Sequence, residues 1–320
     1  MNGIYKIMLF IFLTMLAGCK DYYIKTIINP DGSLIRTVII KTENPEINFG
    51  DQTFYLDSTW QIEKQKDSSS SKYIYTAKKE FESADKLSEY MKANKKVNIN
   101  VKLEKNFRWF YTYYVYKETY MKTNPFDKID IKKFLNNNEY KQLVKGEIND
   151  SLSAKLDEYL KESIFEEFFE LLIPAVTKNT GLDKNKLIEN KNEIKNCIDD
   201  DFELDCIIEK IEKIYSAKVD DSVINAIEVI EKRIENKFGN NFLTKENFEY
   251  EITMPGLLLS TNANGISGST GHWKFDSEAF IYIDYTLSAE SRVANMWALI
   301  STAVFGLLLI IIMIIPRKNR

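Results

Sequence analysis

Apolar positions follow three rhythms along the chain. Residues 7–16 form an apolar run near the start, and residues 296–315 form a charge-free stretch near the end. Between them the pattern alternates, turns helical and alternates again. Residues 22–28 and 34–40 are rich in β-branched and aromatic side chains, and Asn29-Pro30-Asp31-Gly32-Ser33 between them supplies the φ angles of a tight turn, so a β-hairpin is expected there. Further strands are expected at residues 53–62 and 72–81, joined by a polar loop at 66–71. A short helix over 82–91 follows, with Ser83 as its N-cap. Residues 97–103 alternate strictly, as a strand with one buried face does. Residues 107–120 are the most aromatic stretch of the chain, readable as ordinary sheet packing or as a platform on which a ligand stacks.

From about Pro125 the period changes. Leu152, Leu156, Tyr159, Phe165, Phe168, Phe169 and Leu172 recur at helical spacing, and the pattern repeats through Leu187, Ile194, Val223, Ile227 and Ile230. Four or five helices are expected, with breaks near Gly181, residues 199–201 and Ala217, and with Pro174 kinking or ending its helix. Strand patterns return at 248–254, 257–261, 271–275 and 280–287, with Pro255-Gly256 and Asn264-Gly265 as turns. The fold class is therefore α+β: an antiparallel β-rich domain, residues 19–124 and 240–292, with a long helical insertion, residues 125–239, plus one C-terminal transmembrane helix.

The two ends read as membrane devices. Lys6, the apolar run and Leu16-Ala17-Gly18-Cys19 have the layout of a bacterial lipoprotein signal peptide, residues 1–18, with Cys19 as the diacylated first residue of the mature chain. Residues 296–315 as a helix measure about 30 Å, the thickness of a hydrocarbon core. Arg317, Lys318 and Arg320 in the tail, residues 316–320, place the C-terminus in the cytoplasm by the positive-inside rule. The folded body is then expected on the extracytoplasmic, periplasmic side of the bacterial cytoplasmic membrane, tied to membrane lipid by a covalent diacylglycerol and by one span.

Composition narrows the chemistry. Against 43 Lys+Arg stand 47 Asp+Glu, a net charge of −4, which argues against a nucleic-acid partner. Three cysteines and one histidine are too few for a Cys/His zinc site, so neither metal nor cofactor is expected. Cys197 and Cys206 are candidates for a disulfide in an oxidising compartment, two buried free thiols being the alternative. His272 has no nucleophile elbow for company. The acidic residues 199–201 with Glu203 and Asp205 lack the calcium-loop pattern and read as a solvated connection. No catalytic residue is assigned, and no enzyme activity is expected.

Met254-Pro255-Gly256-Leu257-Leu258-Leu259-Ser260-Thr261-Asn262-Ala263-Asn264-Gly265, followed by Trp273-Lys274-Phe275, stands beside a lipobox cysteine, a first hairpin turning at Pro30-Asp31-Gly32-Ser33 and a single C-terminal span. Together they resemble the LppM-type lipoproteins over the anchors and the β-rich flanks; the helical insertion departs from that family. The resemblance implies a non-enzymatic envelope domain that binds lipid or glycolipid, with no binding residue carried over. Two functions follow as expectations: a binding module for a lipid or other apolar ligand, or a scaffold contacting an envelope protein partner through the helical insertion.

Overall fold

The computed structural model describes residues 20–47, 54, 56–68, 72–92, 97–178, 182–198, 203–239 and 246–314. The signal peptide, Cys19, Gly181, residues 199–201 and the basic tail lie outside them. Strands β1 (Lys20–Ile28) and β2 (Leu34–Thr42) form the expected hairpin, in register from Asp21↔Lys41 to Ile28↔Leu34. Asp31 closes its turn by accepting from the Ser33 amide and hydroxyl. β3 (Gln61–Lys66) and β4 (Tyr73–Phe81) follow, then helix α1 (Ala84–Lys92), β5 (Ile99–Phe107) and β6 (Tyr111–Tyr120). After the helical region come β7 (Glu246–Thr253), β8 (Leu257–Thr261), β9 (Gly265–Ser267), β10 (Thr270–Asp276) and β11 (Tyr285–Ala294). Among the described residues the strands form a seven-stranded sheet in the order β3-β4-β2-β1-β7-β10-β9 and a four-stranded sheet in the order β5-β6-β11-β8. The class is α+β.

The chain divides into two compact units. The sheet unit comprises Asp21–Met121, Phe248–Lys274 and the described residues from Thr286 onward. Its two sheets meet through alternate side chains, Arg36 of β2 on Glu118 of β6 and Tyr250 of β7 on Tyr120 of β6, and a ring cluster packs on the larger sheet. Tyr22 stacks on Phe248 with ring centroids 5.5 Å apart, and Phe54 meets both rings edge-on.

The helical unit comprises Lys122–Asn247 and Phe275–Tyr285. Its helices are α2 (Asn137–Lys145), α3 (Asp150–Thr177), α4 (Lys184–Glu189), α5 (Lys191–Lys195), α6 (Leu204–Tyr215) and α7 (Asp221–Gly239). Phe165, Phe168, Leu172, Ile211 and Ile227 lie in one aliphatic-aromatic core, and Leu143, Leu152, Leu156, Tyr159 and Tyr282 in a second. Local signals fix the helix ends. Asn136 and Glu139 make a reciprocal capping box on α2, and Asn149 caps α3 by accepting from the Leu152 amide. Gly146 ends α2 at φ +72°, where a β-carbon would press against Phe275 and Tyr285 at 3.3 Å.

Several local expectations differ from the structure. A strand over 53–62 gives way at residues 57–60 to a turn built on Asp57, whose carboxylate accepts from the Thr59 amide, so β3 starts only at Gln61 and runs into the expected polar loop. α3 continues through Pro174 to Thr177, because a proline one turn from the C-terminus forfeits a single internal hydrogen bond. The strand expected at 280–287 begins at Tyr285. Asp276 instead caps a 3-10 turn, Ser277–Phe280, by accepting from the Glu278 amide. Asn264 bends the chain between β8 and β9 as expected, but β9 already opens at Gly265 and the reversal into β10 occurs at Gly268 with φ +60°.

Candidate functional site

The last helix, α8 (Met296–Ile314), is long and apolar enough to cross a membrane, with a mean hydropathy of 2.6. Most of its side chains are exposed, as those of a buried core helix are not. Its entry is rigidly built. Asn295, the residue before the helix, donates its backbone N–H to Phe110 O at 2.9 Å, while its Oδ1 accepts from the Thr112 hydroxyl at 2.9 Å. Its Nδ2 donates to Arg108 O at 2.7 Å and to Trp109 O at 3.2 Å, and its carbonyl accepts from the amides of Ala298 and Leu299. One side chain thus ties the start of the apolar helix to the turn between β5 and β6.

The same turn carries the end of the aromatic stretch. Phe107 lies parallel to Trp297 at 6.2 Å, and Trp109 meets Trp297 edge-on at 5.3 Å. Trp109 Nε1 donates to Thr302 Oγ1 at 2.9 Å. Phe107, Trp109, Phe110, Met296 and Trp297 are all exposed. The rest of the stretch behaves differently: Thr112, Tyr114, Tyr116, Glu118 and Tyr120 of β6 face inward. Ordinary sheet packing accounts for that face.

Inside the sheet unit, Arg36 of β2 and Glu118 of β6 form an ion pair with no exposure at either side chain. Arg36 Nη1 donates to Oε1 at 3.0 Å and Nη2 to Oε2 at 2.7 Å. Tyr116 donates to Glu118 Oε2 at 2.7 Å and Tyr250 to Oε1 at 3.1 Å, while Tyr120 and Tyr250 share a hydroxyl–hydroxyl hydrogen bond. Burial by itself would lower the Arg36 pKa. The Glu118 charge, with the tyrosine oxygens, more than reverses this and holds it well above its ordinary value. Burial pushes the hydroxyls of Tyr116, Tyr120 and Tyr250 well above 10, reinforced by Glu118 and, at Tyr120, first by Tyr250. Sealed from solvent, this cluster orders the sheets and presents no group to a ligand.

In the helical unit, Cys197 and Cys206 are joined by a disulfide with their Cα atoms 5.7 Å apart, fastening the residues after α5 to the first turn of α6. Asp205 lies in that first turn, where a negative charge suits the helix dipole. A cavity of about 270 Å³ opens nearby, walled by Val176, Leu182, Ile211, Tyr215, Val219 and Val223, with Lys218 and Asp220 also lining it. On β10, His272 is partly exposed, its Nδ1 3.5 Å from Glu251 Oε1. Cys19, the expected lipid attachment point, lies outside the described residues.

Asn295, Thr302 and the Arg36–Glu118 pair are absent from the residues the sequence singles out. The sequence gives no sign of which way either charge of the pair faces, because apolar and aromatic residues occupy both parities of the two strands.

No family model matches the chain, and no curated protein matches it. Among solved structures, the NMR structure of the folded domain of LppM from Mycobacterium tuberculosis is similar over 86% of this chain and 91% of its own. Identity is 10% and the TM-score 0.30, a weak likeness.

Proposed function

We propose that this chain is a membrane-anchored extracytoplasmic lipoprotein whose folded body is a non-catalytic binding module for a lipid or other apolar ligand. The junction at Asn295 carries the membrane half of this reading, since it fixes folded sheet to an apolar helix of spanning length with no slack between them. The ligand half is supported by the apolar walls of the cavity in the helical unit. Its volume suits part of one acyl chain better than a whole lipid.

The reading ties both ends of the folded body to one membrane. Cys19 immediately precedes β1, and the far end of β1 turns at Pro30, whose carbonyl accepts from Lys105 and Tyr114 beside the β5–β6 turn. Roughly 25 Å of strand separates the two ends. On this reading the acyl chains on Cys19 and the span α8 belong to one bilayer.

Lipid extracted from the purified full chain and identified by mass spectrometry tests the ligand half. Val219→Trp, which fills the cavity, should lower the yield of bound lipid; a chain carrying none before or after the substitution sinks it. A reporter fused after Arg320 should be active only in the cytoplasm. Crosslinking in cells that captures one dominant protein, lost on deletion of residues 125–239, would instead make the chain a scaffold.

A further inference from the structure

A hairpin turn ordinarily favours glycine, asparagine or aspartate, which satisfy its backbone and face water. The β5–β6 turn reads Phe107-Arg108-Trp109-Phe110, and its aromatic side chains are 59%, 51% and 41% exposed at Phe107, Trp109 and Phe110. Large apolar groups gathered on a protruding turn mark a contact surface rather than scattered surface residues. The hydrogen bond from Trp109 to Thr302 says what they contact. Thr302 lies six residues beyond Met296, about 9 Å along the helix axis at 1.5 Å per residue. An indole bonded to that hydroxyl sits beside the first turns of the apolar helix, so wherever the helix enters a bilayer the turn enters with it. Asn295 holds the two together through four further hydrogen bonds. The neighbouring cations fit the same surroundings. Arg108 lies over the Tyr113 ring at 5.3 Å and Arg292 over the Tyr111 ring at 4.5 Å, behind the aromatic tip, where lipid phosphates would stand. The same strands also carry carboxylates, Glu104 on β5 and Glu290 on β11.

We propose that the β5–β6 turn is a second, non-covalent membrane anchor: Phe107, Trp109 and Phe110 insert into the interfacial zone of the leaflet that α8 enters, and Arg108 meets its phosphates. This rests on reading α8 as a membrane span. Tryptophan prefers that zone because its ring is apolar and its N–H needs an acceptor; here Thr302 supplies the acceptor. The turn would widen the sheet unit's footprint on the leaflet beyond the helix itself.

The test uses the full chain in phosphatidylcholine–phosphatidylglycerol vesicles whose lipids carry bromine on the upper acyl chain, which quenches only tryptophan within the bilayer. Trp60 and Trp273 are buried in the sheet unit and give an unquenched background. Trp109→Phe should remove about half of the bromine-quenchable emission and Trp297→Phe the other half, the two rings sharing one interfacial depth. If Trp109→Phe leaves bromolipid quenching unchanged and instead abolishes quenching by aqueous iodide, while Trp297→Phe still acts, the turn stands in water and the proposal fails with the span intact. If neither substitution changes bromolipid quenching, the span itself is outside the bilayer and both readings fall.

Discussion

The two units keep their shapes by different means. The sheet unit is organised around a fully buried ion pair, Arg36–Glu118, wrapped by tyrosine hydroxyls. The helical unit buries mainly hydrocarbon, specifies its helix ends with Asn136, Asn149 and Gly146, and adds a disulfide. A buried charge pair contributes little net stability, since desolvation consumes most of the Coulombic gain, yet breaking it is costly. Apolar packing tolerates substitution if volume and pattern survive. The sheet unit should therefore fail abruptly at a few positions, and the helical unit gradually at many.

The largest effect expected is that of Glu118→Ala. It strands the Arg36 guanidinium without a counter-charge and removes the acceptor for the Tyr116 and Tyr250 hydroxyls, costing about 3–5 kcal/mol in urea unfolding of the sheet unit. Replacing both charges together with the hydroxyls that bond Glu118, Arg36→Met and Glu118→Leu with Tyr116→Phe, Tyr120→Phe and Tyr250→Phe, should return most of that loss, since neither a charge nor a hydroxyl is then left unpaired; a variant still as unstable as Glu118→Ala would mean the polar cluster is itself the source of stability. Alkaline pH attacks the same cluster. The folded-state pKa values of Tyr116, Tyr120 and Tyr250 are raised, so the folded state holds protons that the unfolded state releases. The stabilisation is complete below about pH 10 and is lost as pH rises toward the folded-state values. Tyrosinate absorbance from these three rings should appear together with loss of the β circular-dichroism signal. Their ionisation with the sheets intact would contradict the sealed cluster.

Reduction should separate the units in the opposite sense. Cys197→Ser with Cys206→Ser opens a short loop in the helical unit and should cost about 2–3 kcal/mol there by the chain-entropy account. Hydrogen exchange should quicken in α5 and α6, with β2 and β6 unchanged. Equal acceleration in the sheet amides would show that the two units do not respond independently.

What was legible in the sequence follows the same division. Helical spacing from Leu152 to Leu172 and from Val223 to Ile230 is a redundant signal, since many residues report one face, and it located the long helices. The first hairpin was legible because Pro30, Asp31 and Gly32 set turn geometry locally. Short strands failed where one capping or turn aspartate outweighed β propensity, at Asp57 and Asp276. Arg36 and Glu118 are 82 residues apart in sequence. Apolar and aromatic residues on both parities of β2 and β6 hide which face each charge takes, and nothing local says that the two strands carrying them lie opposite each other. Asn295 was harder still: it looks like a linker residue before a span, and its work lies in carbonyls contributed by a distant turn.

The smallest effect expected is at the caps, and it bears most directly on whether the helical unit is specified locally. Asn136 accepts from the amides of Asn138 and Glu139, and Glu139 returns a hydrogen bond to the Asn136 amide at 2.9 Å while also pairing with Lys155 at 2.7 Å. Asn136→Ala removes the acceptor for two amides of the first turn and should cost about 1 kcal/mol, read as faster exchange confined to the start of α2. The Asn136 backbone remains, and so does the Lys155 pairing that holds Glu139 in place, so Glu139 can still bond the Asn136 amide. Asn136→Ser, which keeps an oxygen at the cap, should restore most of the protection. If Asn136→Ala instead loosened Leu143, Leu152 and Tyr282 together, the cap would be holding the second helical core, and the helical unit would share the all-or-none fragility of the sheets.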